Sequence, residues 1–296
     1  MKLNFLKYGI QNCGVIYSQK HCQKILKSIL KTRNFKKIFL SEKKYFSGDK
    51  SNFKKNPSPG HNLLDKLDCA FIFENKTFKA EMKKALGSNY RILDHKLVMG
   101  VPENYLPEWV KKLTKNNMTS NLGLFIKPQF RDITYFKGID FHQDIIDFPT
   151  RDADFVTAYI YLENVNKDTS PLYLLPGSHK FGATVFPHNL IIKNTKAIYK
   201  NKKNSLNLKI LMLEGKSGSM SYWHPFILHG TQPHKFSKPR ISVRLLVEKN
   251  RRVDVSSNID KINKKICGNL SLKLTSTEHN SKGKTIKKGN KINLIK

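Results

Sequence analysis

Two periodicities divide the chain. Up to about residue 117 the apolar positions recur at helical spacing, and beyond it they fall into short β-type runs. After Ser18, the residues Cys22, Ile25, Leu26, Ile29 and Leu30 share one stripe, which predicts a helix with that stripe facing the core. Phe78, Met82, Ala85 and Leu86 predict a second helix, with Gly87 placed to end it. A third begins at Pro107, where proline suits the first turn, and turns Trp109, Val110 and Leu113 inward. Each stripe reads as core packing. The Lys/Ser/Asn-rich stretch through Pro59 reads as a loop that borders the candidate site.

From about Asn121 the runs are β-branched and aromatic, punctuated by Gly and Pro. DADFVTAYIYLENV and SPLYLLPGSHKFGATVF give strands around a Pro176-Gly177-Ser178 turn, and MSYWHPFILHG and RISVRLLV give two more. A double-stranded β-helix, or jelly roll, produces such a pattern. The predicted class is therefore α+β with a mainly β core, braced by N-terminal helices. Three regions follow: a helical or mixed support over residues 1–117, a jelly-roll core over 118–250, and a basic tail over 251–296. The insert from Phe186 to Leu208 is expected to form a lid or substrate loop. The tail carries 12 Lys or Arg against 3 acids, a net of +9, and is expected to be partly disordered.

Composition adds bounds. With 296 residues and 39% hydrophobic content, the chain can bury a core without disulfides. Cys13, Cys22, Cys69 and Cys267 show neither zinc-ligand nor disulfide-framework spacing, so free thiols in a reducing compartment are expected. The N-terminus has no sustained apolar signal segment, and no apolar run approaches the ~20 residues that span a bilayer, so a cytoplasmic protein is the default expectation. A formal charge of +32 invites a polyanion-binding reading. The lysines are spread along the whole chain, however, and no RNA-binding or helix-turn-helix signature accompanies them. We read the charge as compositional bias and expect no specific nucleic-acid partner. An anionic small molecule stays open as substrate: an acyl thioester, a phosphorylated sugar or an acidic lipid.

Candidate chemistry begins at FHQD. Side chains two apart on a strand share a face, so His142 and Asp144 reach one ion while Gln143 turns away. Two neutral imidazoles and one carboxylate on one face of a metal leave three positions for other ligands, and the third protein ligand must come from elsewhere in the chain. Alone the pair is weak, because 10 His and 22 acids give roughly one such match by chance. Arg240 lies eleven residues beyond His229, with Ser242 two further on; a planar guanidinium fork and a neighbouring hydroxyl suit a carboxylate. His224 lies five before His229, so on an unbroken strand the two face opposite ways and the Arg240 spacing selects His229. His224 then reads as packed, His179 as a structural residue holding the loop over the site, and His188 and His234 as solvated. Asp140, Asp144, Asp147, Asp152 and Asp154 make a local acidic field that favours a cation, or a solvated loop neutralised by Arg151.

Through HQD, LYLLPGSHK, LHGT and the R-x-S of Arg240 to Ser242, the stretch from about Asn121 to Val247 resembles the phytanoyl-CoA dioxygenase family of iron(II)/2-oxoglutarate-dependent oxygenases. The resemblance implies that His142, Asp144 and His229 bind iron(II), that Arg240 with Ser242 binds 2-oxoglutarate, and that O2 is the oxidant. Thr231 falls where the family often has a small hydroxyl near the co-substrate, and Tyr159 where it often has tryptophan. Ser170 stands where an Asn-Gly pair often precedes the PGSH strand. Lys127, on an earlier segment, is a further candidate for the co-substrate or an anionic substrate. The implied function is hydroxylation of a small-molecule, lipid or acyl-type substrate; a non-catalytic jelly-roll binding protein is the alternative. Asp144 speaks against halogenation, which needs that coordination position free for halide. No motif marks the substrate or the oligomeric state.

Overall fold

The computed structural model describes residues 3–48, 56–58, 60–115, 119–148, 150–186, 188–201, 204–232, 234, 237–250 and 256–272. The helices are α1 (Phe5–Tyr8), α2 (Gln19–Thr32), α3 (Glu42–Ser47), α4 (Ala70–Glu74), α5 (Lys76–Leu86), α6 (Glu108–Thr114) and α7 (Asn258–Asn263). The strands are β1 (Ile10–Val15), β2 (Tyr90–Gly100), β3 (Thr119–Asn121), β4 (Thr134–His142), β5 (Phe155–Tyr161), β6 (Leu172–Leu174), β7 (Leu190–Lys193), β8 (Lys196–Asn201), β9 (Asn204–Lys209), β10 (Leu211–Leu213), β11 (Ser219–Trp223), β12 (His229–Thr231) and β13 (Arg240–Lys249).

One sheet runs β1-β11-β5-β13-β2-β4-β12-β6-β10, with β3 added to β4. Its pairs are antiparallel except β2 with β4. It curls until its halves face each other: Thr157, Trp223 and Arg244, on β5, β11 and β13, all touch Asp144 at the end of β4. This is the curled, mainly β jelly roll that the run pattern predicts.

Alternation along the strands sorts the layers. Val156, Ala158 and Ile160 of β5 and Ile241, Val243, Leu245 and Val247 of β13 point outward into one core with the helices, where Cys22, Ile25 and Ile29 of α2 and Phe78, Met82, Ala85 and Leu86 of α5 are buried. Tyr159, Tyr161 and Trp223 point inward with Val98, Leu174 and Ile227. The helices thus brace one half of the sheet from outside, as expected. Helix α5 starts at Asn75, whose side chain accepts the Phe78 N–H, and ends at Gly87 with φ 93°. Leu30 and Leu113 depart from the expected stripes: both are more than two-fifths exposed, and α6 buries Val110 and Thr114 instead.

Patterning alone left β1 and β2 unseen. In β2 the charged Arg91, Asp94 and Lys96 break the apolar run, and each is paired in the fold: Arg91 with Glu248, and Lys96 with Asp94 at 3.7 Å. The insert also differs from expectation. Strands β7, β8 and β9 form a three-stranded sheet whose Leu190, Ala197 and Tyr199 pack on Phe141, Tyr173, Leu175 and Leu228. Those four residues alternate with His142, Leu174 and His229 on the same strands or their extensions, so the insert buttresses the outer face instead of forming a lid over the candidate site. A surface groove of about 640 Å³ runs between this insert, Phe181 and Cys267, and no residue of the candidate site lines it.

Part of the expected disorder beyond Arg252 falls on 251–255 and 273–296, outside the described residues. Residues 256–272 fold back onto the body. Ile259 and Ile262 of α7 are buried, the Asn263 amide donates to the Ala153 carbonyl at 2.7 Å, and the Ala183 N–H donates to the Asn269 carbonyl at 2.7 Å. Phe141, 1% exposed, joins the ligand-bearing strand to the insert. Phe141→Ala should therefore destabilise the fold by about 3–5 kcal/mol, measured by denaturant unfolding; a loss below about 1 kcal/mol would mean that the insert does not share this core.

Candidate metal centre

Antiparallel pairing puts His142 of β4 opposite His229 of β12, with their ring centroids 4.3 Å apart. The chain leaves β4 through Gln143 into a 3-10 turn that begins at Asp144, and this returns the carboxylate to the same side. One ligand atom from each of His142, Asp144 and His229 lies within 4.8 Å of the others, and this is the one such His/Cys/Asp/Glu cluster found among the described residues. Asp144 Oδ2 is 3.5 Å from His229 Nε2.

The imidazoles are oriented alike. His142 Nδ1 is 2.9 Å from the Asp140 carbonyl and His229 Nδ1 is 3.0 Å from the Ile227 carbonyl. A ring N–H donated to each carbonyl fixes the tautomer and leaves Nε2 as the free lone pair of both rings. Burial pushes the His229 ring down to about 4, so it is neutral near pH 7. Burial alone would push the Asp144 carboxyl up. The Arg244 guanidinium, the two histidines and Thr157 outweigh that and hold it well below the usual carboxylate range.

Gln143 does point away from the cluster. Its buried amide donates to the Gly182 and Phe226 carbonyls at 2.9 and 3.0 Å and accepts from the Thr184 N–H at 2.9 Å, pinning the turn that carries Asp144. The strand reading of His224 to His229 needs correcting. The chain turns at His224-Pro225-Phe226, with the Ile227 N–H on the His224 carbonyl, so no continuous strand links the two histidines. His224 is packed as expected, for a different reason: its Nε2 is 2.9 Å from Asn263 Oδ1. His179, 5.7 Å from it centroid to centroid, packs against Gly9, where a Cβ would come within 2.6 Å of Nδ1. His188 and His234 are buried, 6% and 0% exposed, and not solvated as the sequence suggested. Thr184 bonds the first at 2.9 Å, and the second lies beside Arg240 and Gly100.

Arg240, Ser242 and Tyr159 meet in the interior. Arg240 Nη1 donates to the Tyr159 hydroxyl at 3.1 Å and to Ser242 Oγ at 3.2 Å. The guanidinium is buried, makes no ion pair among the described residues, and leaves Nε without a hydrogen-bond partner. Gly100 faces it; a Cβ there would stand 3.3 Å from that Nε. Thr231 is buried on β12, two residues beyond His229. Lys127 is placed elsewhere, its ammonium donating to the Lys37 carbonyl at 2.7 Å in an exposed contact. The acidic stretch divides: Asp144 is in the cluster, Asp140 is buried with its carboxyl pushed up to about 7 by that burial, and Asp154 is held by Arg151 at 2.7 Å. Ser170 adopts a left-handed φ of 55°, and its hydroxyl anchors to the Gln232 carbonyl at 2.7 Å.

Three residues around Asp144 escaped the sequence reading. Arg244 Nη2 donates to Oδ1 at 2.5 Å, while Thr157 Oγ1 and Trp223 Nε1 donate to Oδ2 at 2.6 and 3.1 Å. The signal for Arg244 was there: it lies four beyond Arg240, so strand alternation puts both on one face of an otherwise apolar run.

His179 and His224 supply a pH dependence. Burial depresses them to about 4 and about 3, with Lys180 adding to the first and His179 to the second, against about 6.5 in the unfolded chain. The unfolded state therefore binds more protons between these values, so stability is present above about 6.5 and is lost as pH falls below it. His224→Gln should flatten the slope of unfolding free energy between pH 6 and 4 by at most ~1.4 kcal/mol per pH unit. An unchanged slope in urea titrations would contradict this assignment.

A likeness to known proteins accords with the geometry. The family model for phytanoyl-CoA dioxygenase matches residues 10–242. Human peroxisomal phytanoyl-CoA dioxygenase is 27% identical over 101 residues, which cover 32% of this chain and 28% of the human protein. Among solved structures, the epimerase SnoN in complex with Fe3+, alpha ketoglutarate and nogalamycin RO superposes at TM-score 0.50 with 10% identity, covering 83% of this chain and 80% of that one. EctD from S. alaskensis with bound Fe reaches 0.48 at 12% identity, covering 83% and 74%. The family match spans most of the chain and includes all three residues of the cluster, Arg240 and Ser242; the chain belongs to the phytanoyl-CoA dioxygenase family.

Proposed function

We propose that the chain is an iron(II)- and 2-oxoglutarate-dependent dioxygenase that hydroxylates a small-molecule, lipid or acyl-type substrate. The observation that carries the reading is the pairing of two half-sites: a buried cluster of two Nε2 lone pairs and one carboxylate, and a buried guanidinium that makes no ion pair among the described residues. Nitrogen and carboxylate donors of this set suit iron(II) and leave coordination positions for a chelating keto acid and O2. An interior guanidinium without an ion pair among the described residues is costly, and a carboxylate bound beside it would neutralise it.

His142, Asp144 and His229 would hold the metal, and Arg240 with Ser242, Tyr159 and Thr231 would orient the co-substrate. Bound there, iron(II) and 2-oxoglutarate would supply the O2 chemistry, in which oxidative decarboxylation of the keto acid to succinate and CO2 is coupled to hydroxylation of a substrate C–H bond. The chain's own residues do the rest. The Asp140 and Ile227 carbonyls keep both imidazoles in the metal-binding tautomer, and Tyr159 and Ser242 fix the plane of the Arg240 fork. Tyr161, Trp223, Val98 and Leu174 line an apolar interior that keeps bulk water from a reactive oxidant. The acyl-type substrate rests on the family and on the human relative named for phytanoyl-CoA, of which the match spans 28%.

Anaerobic addition of iron(II) and 2-oxoglutarate should produce a weak visible charge-transfer band that His142→Ala abolishes. Arg240→Gln should keep metal binding and weaken 2-oxoglutarate binding roughly 10–100-fold, the loss of a charge-assisted pair. In air the protein should convert 2-oxoglutarate to succinate. Metal binding without succinate under any substrate screen would favour the non-catalytic binding protein, and a wild-type protein without the band would reject the metal assignment.

A further inference from the structure

We propose that Arg244 is a positioning residue for the metal centre: it holds one oxygen of Asp144, so the carboxylate meets a cation through the other oxygen alone, and its charge tempers the donor strength of that oxygen. The proposal rests on the reading of His142, Asp144 and His229 as metal ligands.

The two oxygens of Asp144 stand in unlike surroundings. Oδ1 accepts from Arg244 Nη2 at 2.5 Å. Oδ2 takes neutral donors, Thr157 Oγ1 at 2.6 Å and Trp223 Nε1 at 3.1 Å, and is the oxygen that faces His229 Nε2 at 3.5 Å. A cation held between the two imidazole Nε2 atoms therefore meets Oδ2. Turning the carboxylate to offer both oxygens would separate Oδ1 from the guanidinium, which is only 10% exposed, and cost the buried carboxylate its charge partner. Arg244 thus enforces single-oxygen ligation and keeps a coordination position for exogenous ligands.

The same guanidinium is shared. Arg244 Nη2 also donates to Asp147 Oδ2 at 3.1 Å, and the Asp147 side chain is 42% exposed. Its positive charge is divided between a buried ligand and a carboxylate at the surface. Strand alternation gives β13 two cationic tasks on one face: Arg240 towards the co-substrate pocket and, four residues on, Arg244 behind the ligand. A cation behind a carboxylate ligand withdraws electron density from the metal. The iron-to-keto-acid charge-transfer band should then lie at higher energy than it would without Arg244.

Anaerobic titration with iron(II) and 2-oxoglutarate tests this in wild type, Arg244→Met, Arg244→Lys and Asp147→Asn, reading the band maximum and, through quenching of the emission of Trp109 and Trp223, the metal affinity. Arg244→Met should move the band to longer wavelength because the remaining oxygen is a stronger donor, and weaken metal binding roughly 10–100-fold because loss of the fixed carboxylate geometry outweighs that gain. Arg244→Lys keeps the charge and should stay near wild type. Asp147→Asn leaves the guanidinium to Asp144 alone and should move the band the opposite way, to shorter wavelength. If Arg244→Met does not fold, Arg244→Gln carries the same prediction. A band at the wild-type position in a folded Arg244→Met or Arg244→Gln, or a shift of Asp147→Asn to longer wavelength, overturns the proposal and leaves the dioxygenase reading standing. Absence of a band in wild type overturns that reading, and this proposal with it.

Discussion

A carboxylate carried into the interior of a β barrel must be neutralised where it stands, and the Asp144 group is 2% exposed. Much of the interior can be understood from that demand. Strand β13 supplies Arg244, β5 supplies Thr157, β11 supplies Trp223, and β4 and β12 supply the two imidazoles. Each partner comes from a different strand, so the curl of the sheet and its registers are what bring the charge and its compensation together. A slip of one residue in the β4–β12 pairing would turn His229 to the outer face.

The outer layers hold these registers. Helices α2 and α5 cover the outward face of the β5–β13 half, and the β7–β9 insert covers that of the β4–β6 half through Phe141, Tyr173 and Leu228. The residues buried in these outer cores alternate with those that line the interior. This is why β5 and β13 are buried along nearly their whole length, and why a polar residue within them, such as Thr157 or Arg244, stands out against an apolar run.

Much of this was legible before any coordinates. Helical stripes located α2 and α5, the strand runs located the jelly roll, and the spacing from His229 to Arg240 placed both members in the interior. What escaped depends on contacts between distant segments. Strand β2 hides behind Arg91, Asp94 and Lys96, whose charges are answered in the fold, Arg91 by Glu248 of β13 and Lys96 by Asp94 two residues before it. His188 and His234 read as solvated from the sequence, yet the fold closes over both. The turn at Pro225 breaks what reads as one strand, and the insert shows its packing face only once β8 is laid beside β7 and β9. Lys127, chosen for its charge, is drawn off by the Lys37 backbone carbonyl.

On the proposed function, one ferrous ion and one keto acid together bridge the histidine–aspartate cluster and the Arg240 guanidinium. Anomalous diffraction at the iron edge, from crystals grown without oxygen in iron(II) and 2-oxoglutarate, tests it most directly. A single strong peak is expected in contact with His142 Nε2, Asp144 Oδ2 and His229 Nε2, with the distal carboxylate of 2-oxoglutarate on Arg240. A peak away from these atoms, or a keto acid that leaves Arg240 untouched, would contradict it.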